Sequence, residues 1–324
     1  IKYSVTHFFD FASGLRQIVD TFSSDSNPAL LQVMIDRIKI LTDRPVILAL
    51  RRWNKRDKLS IANYLNIGRY LRWEFKAAAL ELVELYSKLD AYYSMAMASK
   101  KLHFCFPKIR TTNSPYIKAS NLYHLLLSTP VSYNLELNQQ SNFLFLTGAN
   151  MAGKSTFIKA VGISVYLAHV GMGVPAEDFE LSLFDGLLSN IQVEDNITRG
   201  ESYFFNEVQR IRKTIEKIND GRNWLILIDE LFKGTNIQDA MKCSVVVIEG
   251  FRKMKNALFI LSTHLYEIGE GLMQYPNIRF NYFETSIEEG QLIFNYQLKE
   301  GISNDRFGYL ILKREGVVQM LENL

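Results

Sequence analysis

A chain of 324 residues, 48% apolar and 22% charged, has the make-up of an ordinary globular protein and the length for roughly two domains. That balance excludes a disordered tail, a collagen-like fibre and a low-complexity linker, and a core of this size needs no disulfide or metal staple. With 37 Lys and Arg against 34 Asp and Glu, the net charge of +3 is too small to announce a nucleic-acid partner by itself.

Cys105 and Cys243 stand far apart with no His or Cys cluster around them, which reads as a reducing compartment rather than a secreted framework or a zinc knuckle. No apolar run approaches the roughly 18 residues of a membrane helix. The chain opens on Ile1 with no secretory leader, so it is read as a piece of a longer, soluble, cytoplasmic protein with no membrane contact.

The first third reads as helices. Asn27 and Pro28 form an expected N-cap and first-turn pair, leading into a helix with Leu31, Met34, Ile35 and Ile38 on one face. The cluster from Arg51 to Lys58 reads either as a phosphate-touching patch or as a solvated loop between helices. From Ser60 to Lys100, apolar residues at three- and four-residue spacing (Tyr64, Ile67, Leu71, Phe75, Ala79, Leu82, Tyr86) predict one or two long helices.

After Phe106-Pro107 the texture changes. Short apolar runs at 143–147, 224–228 and 257–262 alternate with helical stretches, which predicts crossover units and a mixed, mostly parallel sheet. Residues 278–298 read as an antiparallel hairpin about Glu289-Gly290. The expected organisation is thus an α-helical region over 1–105 and an α/β domain over 106–324. Charge divides with it: residues 1–110 hold 18 basic and 10 acidic side chains, net +8, and the remainder 19 and 24, net −5.

The strongest chemical signal is Gly148-Ala149-Asn150-Met151-Ala152-Gly153-Lys154-Ser155, which fits the phosphate-loop pattern between a strand and a helix. Such a loop turns backbone N–H groups and a helix N-terminus towards phosphate, with Lys154 on the β- and γ-phosphates and Ser155 on Mg²⁺. The second is the run 225–228 ending in Asp229-Glu230. Asp229 is placed to hold the metal, and Glu230 to polarise an attacking water, which favours a hydrolase over a kinase. His264, just past the run 257–262, is a candidate γ-phosphate sensor.

At these residues the sequence resembles the MutS DNA mismatch repair family. TGANMAGKST (147–156), DELFKGTN (229–236) and STHLYEI (262–268) are similar to that family's TGPNMGGKST, DEIGRGTS and ATHYFEL, and residues 194–204 resemble its DDLxxGxSTF signature. The resemblance runs continuously over about 88–317.

It implies a P-loop ATPase of the ABC type, preceded by part of a helical lever, that binds ATP or ADP with Mg²⁺ and works as a homodimer on DNA, duplex or branched. Residue by residue, it implies that Gly148 to Thr156 and Asp229 bind the nucleotide, that Ser155 and Asp229 hold the metal, and that Glu230, His264 and Lys154 serve catalysis. Ser202 would contact the partner's γ-phosphate in trans, and it is also a plain N-cap serine on its own. Gly234-Thr235-Asn236 would form the loop crossing the dimer interface. Ala149, Ala152, Tyr203 and Phe232-Lys233 depart from the family pattern. No stretch resembles the mismatch-reading domain, so a second expectation is a nucleotide-gated assembly module with little turnover. A transporter ATPase fits less well, because there is no LSGGQ-type signature.

Overall fold

In the computed structural model of the chain, the described residues are 1–24, 26–52, 59–191, 203–288, 291–303, 313 and 316–322. Their contacts divide the chain into two compact units, Ile1–Met97 and Ala98–Leu324. The division falls inside a helix, upstream of Phe106, where the sequence changes texture because strands begin at Lys108.

The first unit follows its three- and four-residue apolar spacing. Helix α1 (Lys2–Phe22) buries Val5, Phe9, Ala12, Leu15 and Val19, and α2 (Ala29–Thr42) buries Met34, Ile35, Ile38 and Leu41. They are followed by α3 (Pro45–Arg52), α4 (Ile61–Arg69) and α5 (Lys76–Lys101). The expected start of α2 is corrected. Pro28 is extended at ψ 144°, so the helix opens at Ala29, and the Asn27 side chain instead donates to the Phe22 carbonyl at 2.6 Å. That carbonyl is one that the end of α1 leaves without a helical partner, which is why Asn27 serves the helix behind it.

Ser60 caps α4, its hydroxyl accepting from the Asn63 N–H at 3.2 Å. Between α4 and α5 a π turn over Tyr70–Glu74 closes with the Phe75 N–H donating to the Tyr70 carbonyl at 2.9 Å. The wider turn sets Phe75 into the core, stacked on Tyr70 and meeting Phe8 edge-on, with Leu15, Ile38, Leu41 and Leu82 around it. The basic cluster's residues 53–58 lie outside the described residues.

The second unit is α/β. Its strands are β1 (Lys108–Arg110), β2 (Ile117–Leu122), β3 (Tyr133–Leu137), β4 (Phe143–Gly148), β5 (Asp178–Ser182), β6 (Gly186–Asn190), β7 (Trp224–Asp229), β8 (Ala257–Ser262), β9 (Ile278–Glu288) and β10 (Gln291–Glu300). Helices α6 (Lys154–His169), α7 (Tyr203–Ile218), α8 (Ile237–Phe251) and α9 (Glu267–Leu272) connect them. A six-stranded sheet has the order β10-β9-β4-β8-β7-β6, and its neighbours pair in parallel except for the β9/β10 hairpin. A smaller sheet, β1-β5-β2-β3, lies alongside.

The central strands are apolar along their length because both faces are covered. Leu144, Leu146, Leu225, Leu227, Leu258 and Ile260 pack with α6 and the smaller sheet. The alternate residues Phe143, Phe145, Ile226, Ile228, Phe259 and Leu261 pack with α7, α8 and α9. No helix among the described residues is long and apolar enough to cross a membrane.

Candidate functional site

Parallel pairing brings the carboxyl ends of β4, β7 and β8 side by side, with Leu146 opposite Ser262 and Ser262 opposite Asp229. In sheets of this kind ligands settle at that edge, where loops leave the strands. Here the edge borders a cavity of about 530 Å³ that receives Asn150, Met151, Gly153, Lys154, Ser155, Thr156, Asp229, Glu230 and His264.

The loop after β4 is shaped by backbone that side chains disfavour. Gly148 has φ 139° and Gly153 φ 110°, and a Cβ at Gly148 would come within 3.1 Å of the Phe283 carbonyl oxygen. Met151 is left-handed too, at φ 67°, with its side chain exposed at the cavity. Ala149 and Ala152 turn inward and join the apolar core beneath the loop. Lys154 opens α6 and is buried. Its ammonium donates to the Gly148 and Ala149 carbonyls at 2.7 and 2.8 Å, and burial lowers its pKa to about 8. The loop therefore holds a desolvated cation beside a helix N-terminus, an arrangement suited to an anion.

Asp229 closes β7. It accepts from the Ser155 hydroxyl at 2.5 Å and from the Ser262 hydroxyl through its other oxygen. One hydroxyl and one carboxylate are hard oxygen donors that suit a small divalent cation completed by water and phosphate oxygens. Among the described residues no cluster of three or more His, Cys, Asp or Glu competes as a metal site.

Glu230 turns off the strand in the left-handed region, at φ 72°, its N–H donating to the Ser262 carbonyl at 2.9 Å. Its carboxylate pairs with the Lys233 ammonium at 2.9 Å. His264 is held below the usual imidazole range, first by burial and then by the nearby Lys154 charge, so its ring is neutral near pH 7.

Leu127, Thr129, Val131, Tyr133 and Tyr296 also line the cavity and carry no motif, and Lys233 joins them from DELFKGTN at a position that departs from the family pattern. The first three come from an irregular segment without periodicity. Tyr296 sits at φ 52° inside a register shift of β10 between Phe294 and Leu298, a bulge that alternation alone does not reveal. The loop at Gly234-Thr235-Asn236 leads into α8, which Asn236 caps by accepting from the Asp239 N–H at 3.0 Å. Ser202 lies outside the described residues.

Compared with known sequences, residues 144–321, more than half of the chain, match the family model of MutS domain V. The chain belongs to the MutS family. Among curated MutS-family relatives, the DNA mismatch repair protein MutS of Pseudothermotoga lettingae is 29% identical over 231 residues, 71% of this chain and 28% of the relative. The protein of that name from Listeria innocua is 29% identical over 234 residues, 70% and 27% of the two chains. That of a Geobacillus species is 28% identical over 231 residues, with 70% and 27% covered. The chain thus spans less than a third of the length of the MutS proteins it matches. The matched region holds the whole constellation from Lys154 to His264 and the α/β unit's larger sheet from Leu144 onward.

Proposed function

We propose that this chain carries the P-loop ATPase of a MutS-like DNA-processing protein, of the ABC type and preceded by part of a helical lever, cleaving ATP with the help of Mg²⁺. The observation that carries the reading is the convergence of Lys154, Ser155, Asp229, Glu230 and His264 on one cavity at the carboxyl edge of β4, β7 and β8. Loop amides and the Lys154 ammonium would receive the β- and γ-phosphates, Lys154 exchanging its two carbonyl acceptors for phosphate oxygens. Ser155 and Asp229 would hold Mg²⁺, which when bound neutralises charge on those phosphate oxygens. Glu230 would orient and polarise the attacking water, and the neutral His264 would hydrogen-bond the γ-phosphate. Tyr296 and the apolar wall of Leu127 and Val131 offer a face for the base.

The resemblance further assigns Ser202 to the nucleotide of a second copy, which would make ATP the link of a homodimer; the relatives' names point to DNA as the polymer served, and we propose duplex or branched DNA as its form. Glu230→Gln tests the reading. Hydrolysis should fall by about 10²-fold or more, the share a positioned base contributes, while binding of fluorescent ADP persists. Wild-type turnover in Glu230→Gln would refute the assignment. Tight ATP-dependent dimerisation with near-zero turnover in the unaltered chain, unmoved by DNA, would instead favour a nucleotide-gated assembly module.

A further inference from the structure

Glu207 lies in the first half of α7, away from the cavity lining, and its side chain is buried. A buried carboxylate must be met by donors, and here they are backbone amides. One oxygen of Glu207 accepts from the Lys233 N–H at 3.3 Å and the other from the Gly234 N–H at 3.4 Å. The same loop is held to α7 a second way. Phe232 is left-handed at φ 57°, a conformation a phenylalanine adopts only when its surroundings impose it, and its buried ring lies 5.6 Å from that of Phe204 on α7. Lys233, the residue whose amide is gripped, carries the ammonium that pairs with Glu230 at 2.9 Å.

We infer that Glu207 is a positioning residue for Glu230, acting through the Phe232–Gly234 backbone and the Lys233 ammonium. The inference rests on the role proposed above for Glu230. Its physical content is a chain of fixed contacts: carboxylate to loop amides, loop to ammonium, ammonium to the carboxylate that faces the cavity. Without the first link the loop amides regain freedom, Lys233 no longer has one position, and Glu230 loses the partner that sets the direction of its oxygens. Nucleotide contacts made by Lys154 and Ser155 are not part of this chain. Turnover should therefore suffer and affinity should not. The device also ties Glu230 to α7, so a displacement of that helix reaches the water-polarising carboxylate without passing through the phosphate loop.

The test is a double-mutant cycle in the full chain. Glu207→Gln keeps size but presents an amide NH₂ to one of the two N–H donors. We expect kcat for ATP to fall about tenfold, a fraction of the effect of removing a base outright, with the Kd for fluorescent ADP unchanged and faster hydrogen exchange at the Lys233 and Gly234 amides. In the Glu230→Gln background the same change should leave the residual single-turnover rate where it was, because its target is already gone. Multiplying effects in the cycle, or a parallel loss of ADP affinity, would overturn the inference and mark Glu207 as merely structural. Should Glu207→Gln fail to fold, the second link decides. Lys233→Met should reproduce the fall in kcat and Lys233→Arg restore it, and wild-type kcat in Lys233→Met would sink the inference. Full turnover in Glu230→Gln alone would instead remove the reading of the site itself, a separate result.

Discussion

The two units bury different chemistry. In the helical unit the buried polar side chains, among the described residues, reduce to Thr42, whose hydroxyl donates back to the Ile38 carbonyl at 2.7 Å. The α/β unit buries a lysine, a glutamate and the hydroxyls of Thr147, Ser262 and Thr263 close to its strand ends. Hydrocarbon packing alone suffices to hold helices at fixed spacing, whereas desolvated ionisable groups are costly and persist where their charge is put to use. The contrast separates a part whose residues answer to volume from a part whose residues answer to charge.

Lys154→Met is the sharpest way to break that contrast. It should weaken ATP binding by about 4 kcal/mol, on the order of a thousandfold, as expected when one partner of a desolvated charge pair is truncated, and calorimetric titration reads it. The melting temperature should not fall, since an apolar side chain of similar length removes a buried ammonium. An ATP affinity equal to that of the wild type would mean that the buried lysine is not there for the nucleotide.

The same side chain predicts a pH signature. Its native pKa of about 8 lies below the ordinary 10.5, so between those values the unfolded chain binds more protons than the native one. Stability of the α/β unit should therefore rise with pH across that interval, by up to about 3 kcal/mol, while ATP affinity falls as the ammonium is lost. Denaturant titrations at pH 7.5 and about 10 measure it, and Lys154→Met should flatten the difference.

In the helical unit, Leu82→Ala removes a fully buried side chain and should cost that unit about 3 kcal/mol. Titration below the unfolding transition should give an unchanged ADP Kd, and a shifted Kd would blur the division of labour. Ser60→Ala, which deletes the α4 cap, should cost only about 1 kcal/mol in urea unfolding.

Much of this was legible in the residues, for reasons that differ by element. The strands ending at Gly148, Asp229 and Ser262 announce themselves because both their faces are covered, so they read as unbroken apolar runs. The phosphate loop is legible because two of its positive-φ positions, Gly148 and Gly153, call for glycine at fixed spacing, although a third falls on Met151. The smaller sheet is not. Strand β2 alternates Ile117, Ala119 and Leu122 with exposed Lys118 and Asn121, too short and too polar to stand out from a loop. Glu207 escapes for a related reason, since a glutamate in a strongly amphipathic helix looks solvent-facing until the loop that covers it is seen.

The bulge of β10 has a further consequence, in its parity. From Phe294 to Leu298 the strand advances four residues while its partner retreats two, from Thr285 to Phe283, so the excess is even. Side chains on a strand alternate between faces, and an even excess leaves that alternation in phase. Phe294 and Leu298 accordingly pack against the same core. The aromatic lip of the cavity is thus an insertion that the hairpin can gain, lose or rewrite in pairs of residues without turning its inner face outward, and a change by a single residue would invert everything beyond it.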